Sequence, residues 1–150
     1  MMAATRQRGF TLLELIVVLF IMLLGFSAIA ISISSGNDTA KLNAAARDIV
    51  SALRYAKGQA LVSHKQTTVA FDIDSNSYAI STREQAYPID PAISLTMVTA
   101  ESELTGQSQG NIRFFPDGSC TGGRITLQRG EAVRQIDLNW LTGQIKLENK

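Results

Sequence analysis

Few side chains in this sequence stand where they could do chemistry, and the first is an acid in uncongenial surroundings. From Phe10 to Gly36 the only charged side chain is Glu14; its neighbours are apolar, small or hydroxyl-bearing. An ionised carboxylate near the end of an apolar span costs about 2 to 3 kcal/mol on insertion scales, so it points to a partner. Snorkelling is one solution, because Glu14 would lie about 6 Å along a helix from Phe10, within reach of an interface. A cation inside the membrane is the other. The chain supplies one only if it is cut before Phe10, which frees an α-amino group.

The remaining reactive residues are isolated. Cys120 is the only cysteine and His64 the only histidine, so neither an intramolecular disulfide nor a Cys/His zinc site can be built. A Cys–His nucleophile pair competes with a packed thiol beside a turn, and the packed thiol is the expectation. Asp72 and Asp74 suit the end of a hairpin strand better than acid–base work, and Gly122-Gly123 suits the start of a strand. No G-x-S-x-G, phosphate-loop or calcium-loop spacing is present. The chain is therefore expected to have no enzymatic activity, cofactor or metal. Glu101 and Glu103 fall in the polar stretch Thr99 to Gly110, expected as an exposed loop or weak strand, and are candidates for a partner contact.

The elements that position these groups follow from hydropathy and period. Residues 10–33 can form a helix about 36 Å long, enough to cross a bilayer. A secretory signal would have a shorter apolar core and a small-residue cleavage site. Met1 to Gly9 carries Arg6 and Arg8 and no acid, which keeps it cytoplasmic and places the chain beyond Ile33 across the membrane. Ser34 to Thr39 is a polar break, after which helix resumes with Asp38 or Thr39 as N-cap; the two segments are expected to form one long spine, with Gly25 and Gly36 as its bending points. Leu42, Ala45, Ala46, Ile49, Leu53, Ala56, Ala60 and Leu61 then recur at spacings of three and four, an amphipathic stripe narrow enough for a sheet to approach. Arg47, Asp48, Arg54 and Lys57 fall mainly on the other faces, where solvation is the expectation.

From Gln66 the period changes to two. Thr67 to Ile73 and Ser77 to Thr82 read as a hairpin across Asp74-Ser75-Asn76. Pro88 and Pro91 disfavour helix and central strand over Arg83 to Ala92. Ile93 to Val98 and Asn111 to Phe115 are short strands, the second ending at the turn Pro116-Asp117-Gly118. Arg124 to Gln128, Val133 to Leu138 and Gln144 to Leu147 complete what reads as an antiparallel meander.

With a spanning helix set aside, about 115 residues remain, enough for one modest domain. The formal charge is +1, and loss of Arg6 and Arg8 would leave 12 basic against 13 acidic side chains. That balance argues against a nucleic-acid or anionic-surface binder.

Arg8-Gly9-Phe10-Thr11-Leu12-Leu13-Glu14, fused to the apolar run, resembles the type IV pilin and pseudopilin signal. The resemblance implies that a prepilin peptidase cuts after Gly9 and N-methylates Phe10, the new first residue. Gly9 suits a protease cleft because it has no β-carbon. Once the helices pack in a filament, Glu14 would neutralise the Phe10 amine of a neighbouring subunit, a register device because an unpaired buried charge is costly.

A second, independent resemblance lies in Phe114-Phe115-Pro116-Asp117-Gly118-Ser119, Thr121-Gly122-Gly123-Arg124-Ile125 and Asp137-Leu138-Asn139-Trp140-Leu141-Thr142-Gly143. These look like the C-terminal domain of the minor pseudopilin H family of type II secretion. The family implies an α+β fold, a long N-terminal transmembrane and spine helix packed on an antiparallel β-sandwich-like head. Its members sit near the tip of a periplasmic pseudopilus that assists export of folded proteins across the outer membrane.

The implied division is a cytoplasmic leader over 1–9, a transmembrane and assembly helix over 10–33, a periplasmic amphipathic half of the spine over 34–65 and a β-rich head over 66–150. The implied location is the Gram-negative inner membrane, single-pass, with the N-terminus cytoplasmic and the head periplasmic. The implied partners are the peptidase, other major and minor pseudopilins, the inner-membrane assembly platform and, before assembly, membrane lipid. The alternative is a minor pilin of a DNA-uptake type IV pilus. It calls for a basic C-terminal cluster, and Gln144 to Lys150 carries little positive charge.

Overall fold

The computed structural model describes residues 11–100, 103–104 and 108–149; the side chains of 26–37 lie outside the description. The fold is α+β: the described residues form one helix and eight strands, α1 (Leu12–Ser63), β1 (Thr67–Asp72), β2 (Ser77–Ile80), β3 (Ala86–Pro88), β4 (Ser94–Val98), β5 (Gln109–Phe114), β6 (Gly123–Arg129), β7 (Ala132–Leu138) and β8 (Ile145–Asn149). The chain divides into two compact units between Asn37 and Asp38.

In the first unit α1 starts at Leu12, and the Glu14 N–H donates to Thr11 Oγ1 at 3.3 Å. The expected break at Ser34 to Thr39 does not occur; helix runs through it. Interrupting a formed helix would orphan up to four N–H and four C=O groups, whereas Ser, Asn and Asp each cost less than about 1 kcal/mol in a helix interior. Asp38 does not cap: its carboxylate meets Arg129 Nη2 at 2.7 Å. Among the described residues no helical stretch is long and apolar enough to cross a membrane; the expected span over 10–33 falls partly outside them.

In the second unit two four-stranded antiparallel sheets, ordered β3-β2-β1-β5 and β4-β6-β7-β8, share one core with the helix. The expected stripe supplies its helical side, with Leu42, Ala46, Ile49, Leu53, Ala56 and Ala60 fully buried; Ala45 is half-buried, and Leu61 departs at 42% exposed. Phe71, Ile112 and Phe114 cover that side from the first sheet, and Ile125, Leu127 and Ile136 from the second. His64, at φ 51°, is the left-handed residue immediately after the last helical turn, where such a residue closes a helix.

The hairpin forms as expected, with Val69 opposite Ile80 and Asp72 opposite Ser77. Asp72 ends its strand by accepting from Ser75 N and Gln109 Nε2, both at 3.0 Å. Pro88 sits in a three-residue edge strand. Asn76 pins the following loop, its Nδ2 donating to the carbonyls of Asp90 at 3.1 Å and Ile93 at 3.0 Å. The meander is confined to β6-β7-β8. β5 instead crosses to pair with β1, placing Ile112 opposite Val69, and β4 pairs with β6. The reason is burial: β5 turns Ile112 and Phe114 inward, and beside β1 those residues join the core that contains the helix stripe.

Candidate functional site

The first unit has one kind of surface to offer. From Leu12 to Leu24 every large apolar side chain is exposed, from 46% at Val18 to 78% at Leu12, and Glu14 is the single charge among them. A helix that is apolar all round belongs inside lipid or inside an assembly. Thr11 and Glu14 occupy the N-cap and N3 positions with the spacing of a capping box, whose hydroxyl half is formed, a pattern legible in T-x-x-E before an apolar run and missed by reading Glu14 only as a charge. The cap fixes the start of the helix and holds the acid in its first turn, where a carboxylate also complements the helix dipole. Gly9 and Phe10, the expected cleavage and methylation residues, lie outside the described residues.

The second unit brings the C-terminal motif together as a knot of turns. Phe115 N–H donates to Ser119 O at 3.0 Å, Cys120 N–H to Trp140 O at 2.9 Å, and Gly143 N–H to Asn139 O at 2.8 Å. Asn139 Oδ1 accepts from the N–H groups of Leu141 and Thr142. Lys57, expected on a solvated face, reaches from α1 into this knot and donates to the carbonyls of Thr142 at 2.8 Å and Gly143 at 3.2 Å. Gly143 has φ +58°, and a Cβ there would collide with the Gly118 carbonyl oxygen, so the two turns meet backbone to backbone. Trp140 and Leu141 ride on this frame at 65% and 64% exposed, which makes the motif a rigid mount for two large apolar side chains.

The reactive residues of the head have structural places. Cys120 is buried, its Sγ donating to Asn139 O at 3.4 Å, and burial pushes its thiol up, away from the nucleophilic thiolate. Glu103, expected on an exposed loop, is 6% exposed and paired with Arg113 Nη2 at 3.3 Å. Its carboxylate faces inward because Leu104 bridges to Gly110 and folds the segment back on β5. It is therefore not a surface contact; Glu101 lies outside the described residues. Among the described residues no group of His, Cys, Asp and Glu could hold a metal ion.

Known proteins share both halves of this arrangement. The family model for the prokaryotic N-terminal methylation motif matches residues 4–30, and that for type II transport protein GspH matches residues 45–143. The type II secretion system protein H of Xanthomonas campestris pv. campestris is 29% identical over 139 residues, covering 93% of this chain and 82% of that one.

Two solved structures have the same pilin-like fold. The minor pseudopilin EpsH from the type 2 secretion system of Vibrio cholerae superposes with a TM-score of 0.59 at 12% identity, over 73% of this chain and 97% of that one. The type IV minor pilin FimU of Pseudomonas aeruginosa gives 0.55 at 14% identity, over 71% and 91%. With its model matched across most of the chain, from the middle of the helix through the knot of turns, this protein belongs to the type II transport protein GspH family.

Proposed function

We propose that this GspH-family chain works as a minor pseudopilin, a building block whose task is assembly and not catalysis. A prepilin peptidase cuts after Gly9 and methylates Phe10, and residues 10–33 then hold the protein in the inner membrane with its head in the periplasm. From there it enters the pseudopilus near the tip, through the assembly platform and beside other major and minor pseudopilins, and assists the export of folded proteins across the outer membrane.

One observation carries this reading: the helix surface from Leu12 to Leu24, exposed on every side and interrupted by the single carboxylate of Glu14. Such a surface is stable only in lipid or against other apolar helices; in lipid the acid can still reach the interface, whereas packed among helices it needs a counter-charge. The α-amine of a cleaved Phe10 on a neighbouring subunit meets that demand. The methylation motif over residues 4–30 supports the cut, and the family match and the relative in Xanthomonas support secretion over the type IV pilus alternative.

The test is Glu14→Ala in cells carrying the whole secretion assembly. The variant should lose its leader normally yet be absent from sheared pseudopili; normal incorporation would refute the pairing role.

A further inference from the structure

Apart from the knot of turns, the head carries a second surface feature, between α1 and the first sheet. Two adjoining hollows, of about 410 and 260 Å³, share Asp48 and Tyr78 and form one trough between α1 and the β3 side of the first sheet. Ala44, Ala45, Asp48, Ser51, Ala52 and Tyr55 make its helical wall at spacings of one, three and four, so one helix face lines it throughout. From Lys41 to Tyr55 that face runs about 21 Å, the length of about six extended residues. The other wall is β2 and β3.

Three features define the occupant. The first is an edge: among the described residues β3 has no strand on its outer side, whereas the opposite edge, β5, is closed by bridges from Leu104 and Cys120. The second is the wall itself, small residues that let another backbone lie close. The third is charge. Asp48 makes no ion pair among the described residues. Arg83 is held at the far end, its Cζ 4.2 Å from the centre of the Tyr55 ring and its Nη1 donating to Tyr87 Oη at 2.9 Å. Tyr87 in turn stacks on Tyr78 at 5.2 Å, so the guanidinium is braced from both walls.

We propose that this trough binds an extended polypeptide segment of another pseudopilus subunit, added beside β3 with a basic side chain toward Asp48 and a carboxylate toward Arg83. A groove between a helix and a free strand edge is a recurrent seat for such segments, main-chain bonds giving affinity and side-chain pockets giving selectivity. Asp48 and Tyr55 are seven residues apart on the helix, about 10 Å; side chains on one face of an extended segment recur every second residue, so its two charges stand two or four residues apart. The inference rests on the chain being an assembled subunit and adds which surface a neighbour uses.

The experiment is photocrosslinking of the full chain in secreting cells, with a photoreactive amino acid at the exposed Ser51 and, as control, at Gln128 in the second sheet. Peptide mapping should find Ser51 joined to one segment of another subunit that carries a basic and an acidic residue two or four positions apart. Asp48→Lys and Arg83→Glu should each lower that adduct at least about fivefold, as loss of a complementary charge does at an interface. No adduct at Ser51 in cells where the leader is removed and the chain enters pseudopili would overturn the proposal while leaving the function intact. An adduct only with lipid, or one indifferent to both charge changes, would overturn it too. A retained leader would instead refute the proposed function.

Discussion

Lys57 Nζ donates to the carbonyl oxygen of Thr142 at 2.8 Å, across 85 residues of sequence. The bond joins the helix that carries the core stripe to the turn that carries Trp140 and Leu141, so it couples the spine of the head to its exposed apolar mount. A charged donor on two backbone carbonyls contributes about 1 to 2 kcal/mol. Lys57→Met keeps the stem and removes the charge, and it should lower unfolding stability of the detergent-solubilised full chain by that amount in urea titration. An unchanged midpoint would show that the turn holds itself.

Gly143 and Gly130 have the same φ of +58°, but only Gly143 is crowded; nothing lies within 4 Å of a Cβ built on Gly130. Alanine at either position bears the left-handed backbone cost of about 1 to 2 kcal/mol. At Gly143 it must also push the Gly118 carbonyl away, so Gly143→Ala should exceed Gly130→Ala by at least about 1 kcal/mol. Equal losses would mean that the 116–119 turn yields freely and that the knot is not a rigid mount.

Acid should loosen the junction around Asp90. Its carboxyl is held below the ordinary carboxylate value, first by the Ala92 N–H at 3.0 Å and then by Arg129 Nη1 at 3.0 Å. A depressed folded value means that the group contributes stability above its unfolded pKa of about 3.9, a contribution lost as pH falls through the lower folded value. The urea midpoint should therefore be insensitive to this group between about pH 7 and 5 and should fall below about pH 4. Asp90→Asn should remove part of that acid dependence; an identical acid slope in wild type and variant would contradict the assignment.

The parts of this fold written in local periodicity were legible, and those written in distant pairing were not. Thr67 to Thr82 alternates around a turn tripeptide, so its hairpin follows from neighbours alone. Pro88 removes a ladder donor, and an edge position follows. By contrast, β5 pairs with β1 about 40 residues away. No local pattern distinguishes that partner from β6, and only the shared burial against Leu42 to Ala60 decides. The polar break at Ser34 to Thr39 reads as a cap because each residue favours one, yet a helix already formed on both sides outweighs those small preferences.

The candidate site divides the same way. Glu14 was conspicuous as a lone charge, whereas its capping box with Thr11 was present in the spacing and overlooked. Lys57 looked like any solvated lysine, since its partners are backbone carbonyls that no side-chain pattern advertises. Glu103 appeared exposed because its surroundings are polar; the bridge that folds its segment back joins Leu104 to Gly110, and its partner Arg113 lies ten positions away on β5.

The central claim is that the chain is made into a subunit by removal of its leader. Mass spectrometry of the full protein, extracted from membranes of cells with an active prepilin peptidase, tests it directly. The account predicts a mature chain that begins at Phe10 and carries one added methyl group on that amine. Protein that still bears Arg6 and Arg8 in those cells, or begins at any other residue, would contradict it.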